Sequence, residues 1–136
     1  MVGDPATFGI LTVSDRASKG EYQDEGGPAI LGFFEEAISS EWSHHYRVVP
    51  DEIEAISNVL IEMVDQLGCS VIVTTGGTGP SERDVTPEAT IEIGDKVIFL
   101  YKGKKLWEGS NKNITDSNVK ELNDFVFANR MMREFK

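Results

Sequence analysis

Apolar positions along this chain form three short blocks separated by two helical stripes. Phe8-Gly9-Ile10-Leu11-Thr12-Val13-Ser14 is a nearly continuous apolar run, the pattern of a strand buried on both faces. A loop rich in glycine and charge, residues 15–26, follows it. Pro28 then predicts a helix start, because its missing N–H costs nothing in a first turn. Ile30, Leu31, Phe33, Phe34, Ala37 and Ile38 give that helix an apolar face. Tyr46-Arg47-Val48-Val49 reads as a second strand, ended by Pro50. The stripe Ile53, Ile56, Leu60, Met63, Val64 and Leu67 predicts a second helix, and Gly68 stands where a helix favours a left-handed closing residue. Val71-Ile72-Val73-Thr74-Thr75 is a third buried strand. Past a glycine loop, Thr86-Pro87-Glu88 predicts another helix, with a threonine cap, a proline first and an acid beside the positive end.

Alternating strands and helices predict an α/β fold, a three-layer α/β/α arrangement around a mostly parallel sheet with right-handed crossovers. Ligands of such sheets bind beyond the carboxyl ends of the strands. Here each strand runs directly into a polar cluster: Ser14-Asp15-Arg16, then Asp51-Glu52, then Thr74-Thr75-Gly76-Gly77-Thr78-Gly79. The topology gathers all three clusters on one sheet edge, where a pocket is expected. After Gly94 the pattern changes. Lys96 to Tyr101 alternates weakly, Lys102-Gly103-Lys104-Lys105 suits a turn, and Leu106-Trp107 begins a return strand, so a C-terminal hairpin is predicted. Ser110 to Ser117 is a polar connector, and Asp116 or Ser117 caps a final helix through Val119, Leu122, Phe125, Val126 and Met131.

At 136 residues with 40% apolar content, the chain is sized for a single domain, residues 1–136, with one core. No apolar run approaches the ~18 residues of a membrane span. The first residues show no basic flank leading into an apolar stretch, so no signal peptide is expected. Cys69 is the single cysteine, which excludes an internal disulfide and suits a reducing, cytoplasmic compartment. A net charge of −10 argues against a general nucleic-acid binder, which needs clustered Lys and Arg. The charge is uneven. Residues 1–95 hold 4 basic against 18 acidic residues, a net of −14, whereas residues 96–136 hold 9 against 5, a net of +4.

The glycine loop is the strongest local signal for chemistry. Gly76, Gly77 and Gly79 let backbone N–H groups turn toward an anion without obstruction by Cβ atoms, and Thr74, Thr75 and Thr78 add hydroxyl donors. A tight strand-to-helix turn would use the same glycines. Asp51 and Asp84 admit two readings. In a phosphate site, an acid holds Mg²⁺ or handles a proton; elsewhere Asp51 is a helix cap and Asp84 a solvated turn residue. Ser14 and Asp15 have the same ambiguity, being turn formers at a strand end. Arg83 either contacts phosphate or is solvated. Cys69 reads as a small core hydrophobe. His44 and His45, placed between elements, lack any further ligand pattern for a metal.

Four blocks in order and spacing resemble one family. They are Gly9 to Ser18 with Gly20; Tyr22-Gln23-Asp24 with Gly26; Pro50-Asp51-Glu52; and Thr74 to Pro80 continuing through Arg83-Asp84-Val85-Thr86-Pro87-Glu88-Ala89-Thr90. The series is similar to the bacterial molybdopterin adenylyltransferases, related to the corresponding domains of gephyrin and its plant counterpart. The resemblance covers residues 1–93, about two-thirds of the chain. It implies a usually trimeric three-layer fold that adenylylates molybdopterin with ATP and Mg²⁺. It places the loop Thr75 to Gly79 on phosphates or pterin, Asp51 and Asp84 at the two acidic positions tied to activity and to the metal, and Ser14, Asp15 and Thr74 in the pocket.

The family continues past Ala89-Thr90 with a Pro-Gly-Phe segment, a Ser-Arg loop and an Asn-Pro-Gly-type loop. This chain carries residues 94–136 instead, an atypical basic tail that begins where the charge switches sign. Two classes of function follow: a transferase, and a protein that binds nucleotide or molybdopterin without transfer.

Overall fold

The computed structural model describes residues 4–76, Thr90, 96–101 and 104–110. Three strands, β1 (Ala6–Val13), β2 (Trp42–Val49) and β3 (Val71–Thr75), form one sheet in the order β2-β1-β3. Both pairings are parallel, with Val13 opposite Val49 and Thr12 opposite Thr75. The chain steps one way from β1 to β2 and then back past β1 to β3. Right-handed connections therefore put the two crossover helices, α2 (Gly26–Ala37) and α3 (Ile53–Ile61), on opposite faces.

Side chains follow that geometry. On the α2 face, Phe8 meets Phe34 with ring centroids 4.7 Å apart, and Trp42 packs edge-on against both rings. On the α3 face, Leu11, Val13 and Val49 pack with Ile56, Leu60 and Met63 in the main core. Each fully buried aliphatic side chain of this kind stabilises the fold by about 1.5–3 kcal/mol. Because β1 is covered on both faces, Ile10 and Leu11 are both wholly buried, which is why its sequence is apolar without alternation.

Several boundaries differ from the sequence expectation. β2 begins at Trp42, so His44 and His45 lie within a strand and not between elements. Helix α2 begins at Gly26, two residues before Pro28, because the Asp24 carboxylate caps the N–H groups of Gly26 and Gly27. The helical stripe from Ile53 runs as α-helix to Ile61 and then as a π turn over Glu62–Gln66, in which Leu67 N–H bonds Glu62 C=O at 3.0 Å. It closes at Gly68 with φ +67°, as expected. A short helix, α1 (Asp15–Ser18), occupies the start of the loop after β1.

The predicted hairpin is present as β4 (Lys96–Tyr101) and β5 (Lys104–Ser110), paired antiparallel. The expected helices at Thr86 and after Ser117 lie outside the described residues.

Candidate functional site

Described residues from each of the three carboxyl-end clusters, Ser14 and Asp15, Asp51, and Gly76, meet at one sheet edge. Ser14 continues β1 and donates its backbone N–H to Val49 C=O at 2.9 Å. Asp15 Oδ1 accepts the backbone N–H of Asp51 at 2.9 Å, tying the end of β1 to the segment after β2. Asp51 is not the cap of α3; that position belongs to Glu52, which makes no side-chain cap bond. Gly76, just after β3, takes φ +85°, and a Cβ there would collide with the Val13 carbonyl oxygen. Glycine is thus required at the root of the loop by both its dihedral and its close approach to β1.

Beside this edge, on the α2 face, lies a cleft of about 420 Å³. Ser14, Thr75 and Gly76 line it, together with Thr12, Tyr22 and Asp24. Thr74 does not. Alternation along β3 turns it to the α3 face, where it lines a separate cavity of about 590 Å³ with Leu60, Cys69 and Ile72. Gly77, Thr78, Gly79, Arg83 and Asp84 lie outside the described residues.

Asp24 is the residue that sequence reasoning missed as part of the site. Its Oδ2 accepts hydrogen bonds from Thr12 Oγ1 at 2.8 Å, from the Tyr46 hydroxyl and from Gly27 N–H at 3.1 Å, while Oδ1 accepts Gly26 N–H at 3.1 Å. One carboxylate thereby joins β1, β2 and the start of α2. Burial pushes its carboxyl up, but the bonds from Tyr46, Thr12, Gly27 and Gly26 outweigh that and hold it below the ordinary carboxylate value. Burial, and then the bond to Asp24 and its charge, push the Tyr46 phenol up to about 12. Gly27 has no room for a side chain, since a Cβ would overlap the Tyr46 ring. The available signal was an aspartate two residues before Gly-Gly-Pro, a capping pattern.

This arrangement has a chemical consequence. Asp24 occupies the positive end of α2, so those N–H groups are not offered to a ligand anion. The described residues lining the cleft include the acids Asp24 and Glu25 and no basic side chain. An anionic ligand here needs backbone N–H groups from the glycine loop or a cation. Asp15 spends Oδ1 on the backbone N–H of Asp51, which fixes the segment after β2 at the sheet edge. Among the described residues no three acids, cysteines or histidines cluster tightly enough to hold a metal unaided.

Cys69 is buried against the core beside Gly9, and burial pushes its thiol up, with the Arg47 charge acting the other way. It behaves as the core residue the sequence predicts. No helix among the described residues is long and apolar enough to cross a membrane.

The profile of the family described as a probable molybdopterin binding domain matches residues 9–128. That match runs beyond residue 93, where the sequence resemblance ends, and into the basic tail. Molybdopterin adenylyltransferase of Haemophilus influenzae is 47% identical over 89 residues, 65% of this chain and 45% of that protein. The same enzyme of Escherichia coli K12 is 44% identical over 89 residues, 65% of this chain and 46% of the relative. The chain spans about half the length of these curated relatives. Among solved structures, the molybdopterin biosynthesis enzyme MoaB from Thermus thermophilus superposes with a TM-score of 0.61 at 38% identity, over 73% of this chain and 67% of that one. With its parallel sheet, its glycine turn at the end of β3 and a profile match over most of its length, this chain belongs to the molybdopterin-binding domain family of molybdenum-cofactor biosynthesis.

Proposed function

We infer that the chain binds molybdopterin and ATP at the carboxyl edge of the sheet and transfers the adenylyl group between them. The observation that carries this reading is the convergence of Ser14, Asp15, Asp51, Thr75 and Gly76 at one edge, beside a cleft lined by Ser14, Thr75 and Gly76. The relatives named molybdopterin adenylyltransferase support the reaction class.

In that reaction a terminal phosphate oxygen of molybdopterin attacks the α-phosphorus of ATP, the bond to the β-phosphate bridging oxygen breaks, and pyrophosphate leaves. The step needs alignment and charge neutralisation more than a protein nucleophile. Thr75 at the end of β3 and Ser14 just past β1 offer hydroxyl donors to ligand oxygens. The Gly76 turn starts the loop whose remaining glycines, Gly77 and Gly79, together with Thr78, would present N–H and hydroxyl donors to phosphate. Mg²⁺, when bound, neutralises phosphate charge; Asp51 would hold it with Asp84, and Asp15 helps to place Asp51 through its backbone N–H. The homotrimer implied by the resemblance belongs to the same reading.

A single-turnover assay tests this. Purified chain, molybdopterin, ATP and Mg²⁺ are mixed, and adenylylated product and pyrophosphate are followed. Stoichiometric product that disappears in Asp51→Ala and Asp84→Ala supports transfer. Ligand binding without product would make the chain a binding protein, the second reading.

A further inference from the structure

Tyr22 is the aromatic side chain among the described residues lining the cleft. Its hydroxyl lies 2.9 Å from Ser14 Oγ, which also accepts the backbone N–H of Ala17 at 3.2 Å. The Arg16 guanidinium carbon sits 5.3 Å from the ring centroid, and Arg16 is itself paired with Glu21 at 3.5 Å. Despite these ties Tyr22 keeps 44% of its surface exposed. An aromatic side chain recruited only for packing would turn its ring into the core, where burial stabilises. Arg16 covers one side of the ring and does not itself line the cleft that Tyr22 lines.

We propose that Tyr22 is a stacking platform for a flat nitrogenous ring of the ligand, backed by Arg16 and fixed through its hydroxyl to Ser14. This rests on the transfer reading, in which both substrates carry such a ring, a purine on one and a pterin on the other. Stacking suits the site because the neighbouring acids, Asp24 and Glu25, give an anionic ligand little direct attraction, leaving the uncharged ring as the part of it this wall can hold. Ring fixation by Ser14 and Arg16 lowers the ordering cost of binding. Base-on-aromatic stacking of this kind changes affinity by about five- to a hundredfold on removal of the aromatic.

The full-length chain and its Tyr22→Phe, Tyr22→Leu and Tyr22→Ala variants are titrated calorimetrically with AMP, with 6-hydroxymethylpterin and with ribose 5-phosphate. The leucine variant keeps bulk without a π face and replaces the alanine variant should that one lose its thermal transition. Tyr22→Phe is expected to bind within about threefold of wild type, and Tyr22→Ala or Tyr22→Leu about tenfold or more weakly for one ring compound. Loss confined to AMP assigns the platform to the purine; loss confined to the pterin assigns it to that ring; ribose 5-phosphate is unaffected in either case. Equal affinity of wild type and the leucine or alanine variant for both ring compounds overturns the platform while leaving the transfer reading standing. A wild-type chain that binds neither compound defeats the transfer reading, and the platform falls with it.

Discussion

Thr74 and Thr75 are neighbours in sequence, yet they line different cavities on opposite faces of the sheet. Both belong to β3, where successive side chains alternate. Thr75 stands beside Gly26 at the start of α2, so the α2-face cleft and the capped helix end share a wall. Loss of the Thr75 hydroxyl in Thr75→Val is expected to weaken ATP binding by up to about tenfold, the worth of one ligand hydrogen bond. Thr74→Val leaves that affinity within about twofold. Isothermal titration of the two variants checks this, and the reverse ranking would place the ligand on the α3 face.

The carboxylate of Asp24 predicts a pH signature for stability. Removal of one of its donors in Tyr46→Phe is expected to cost about 1.5–3 kcal/mol, the range for a hydrogen bond to a charged group. The sign with pH follows from both partners. The depressed Asp24 carboxyl adds stability above its unfolded value near 3.8, lost as pH falls through the lower folded value. The raised Tyr46 phenol adds stability below its unfolded value of 10.0, lost as pH rises toward about 12. Urea unfolding across pH is therefore expected to show the widest gap between wild type and Tyr46→Phe from about pH 5 to 9, narrowing at both ends. A gap independent of pH would mean that the hydroxyl acts through packing alone.

Gly20 and Gly76 both take a left-handed φ, +75° and +85°, but only Gly76 is crowded. Around Gly20 a Cβ would meet open space, so Gly20→Ala carries the dihedral strain alone, about 1 kcal/mol. Gly76→Ala adds a collision with the Val13 backbone, which cannot swing aside as a side chain would. A loss of about 2 kcal/mol or more is expected, together with weaker ATP binding as the loop root shifts. Thermal melts of the two variants decide it, and equal losses would show that the loop relaxes without cost.

Much of this architecture was legible in the chain. The unbroken apolar run of β1 announced a strand covered on both faces, and Gly68 marked the helix end because only the left-handed turn needs it. The hairpin at Lys96 was likewise legible. What escaped notice depends on partners distant in sequence. His44 and His45 read as lying between elements because the apolar pattern starts only at Tyr46; the strand character of Trp42 to His45 comes from pairing with Ala6 to Gly9. Asp24 read as one residue of a loop, since nothing local reveals that Thr12 and Tyr46 converge on it. Adjacency in sequence groups Thr74 with Thr75, although strand alternation separates them.

The most direct test of the account is to locate the ligand. Uniformly ¹⁵N-labelled chain titrated with ATP and Mg²⁺ is expected to show its largest amide shift changes at Ser14, Tyr22, Gly26, Thr75 and Gly76, the α2-face cleft and its glycine root. Changes concentrated at Leu60, Ser70 and Lys96, around the α3-face cavity, or an unchanged spectrum at saturating nucleotide, would contradict the assignment of the carboxyl edge as the functional site.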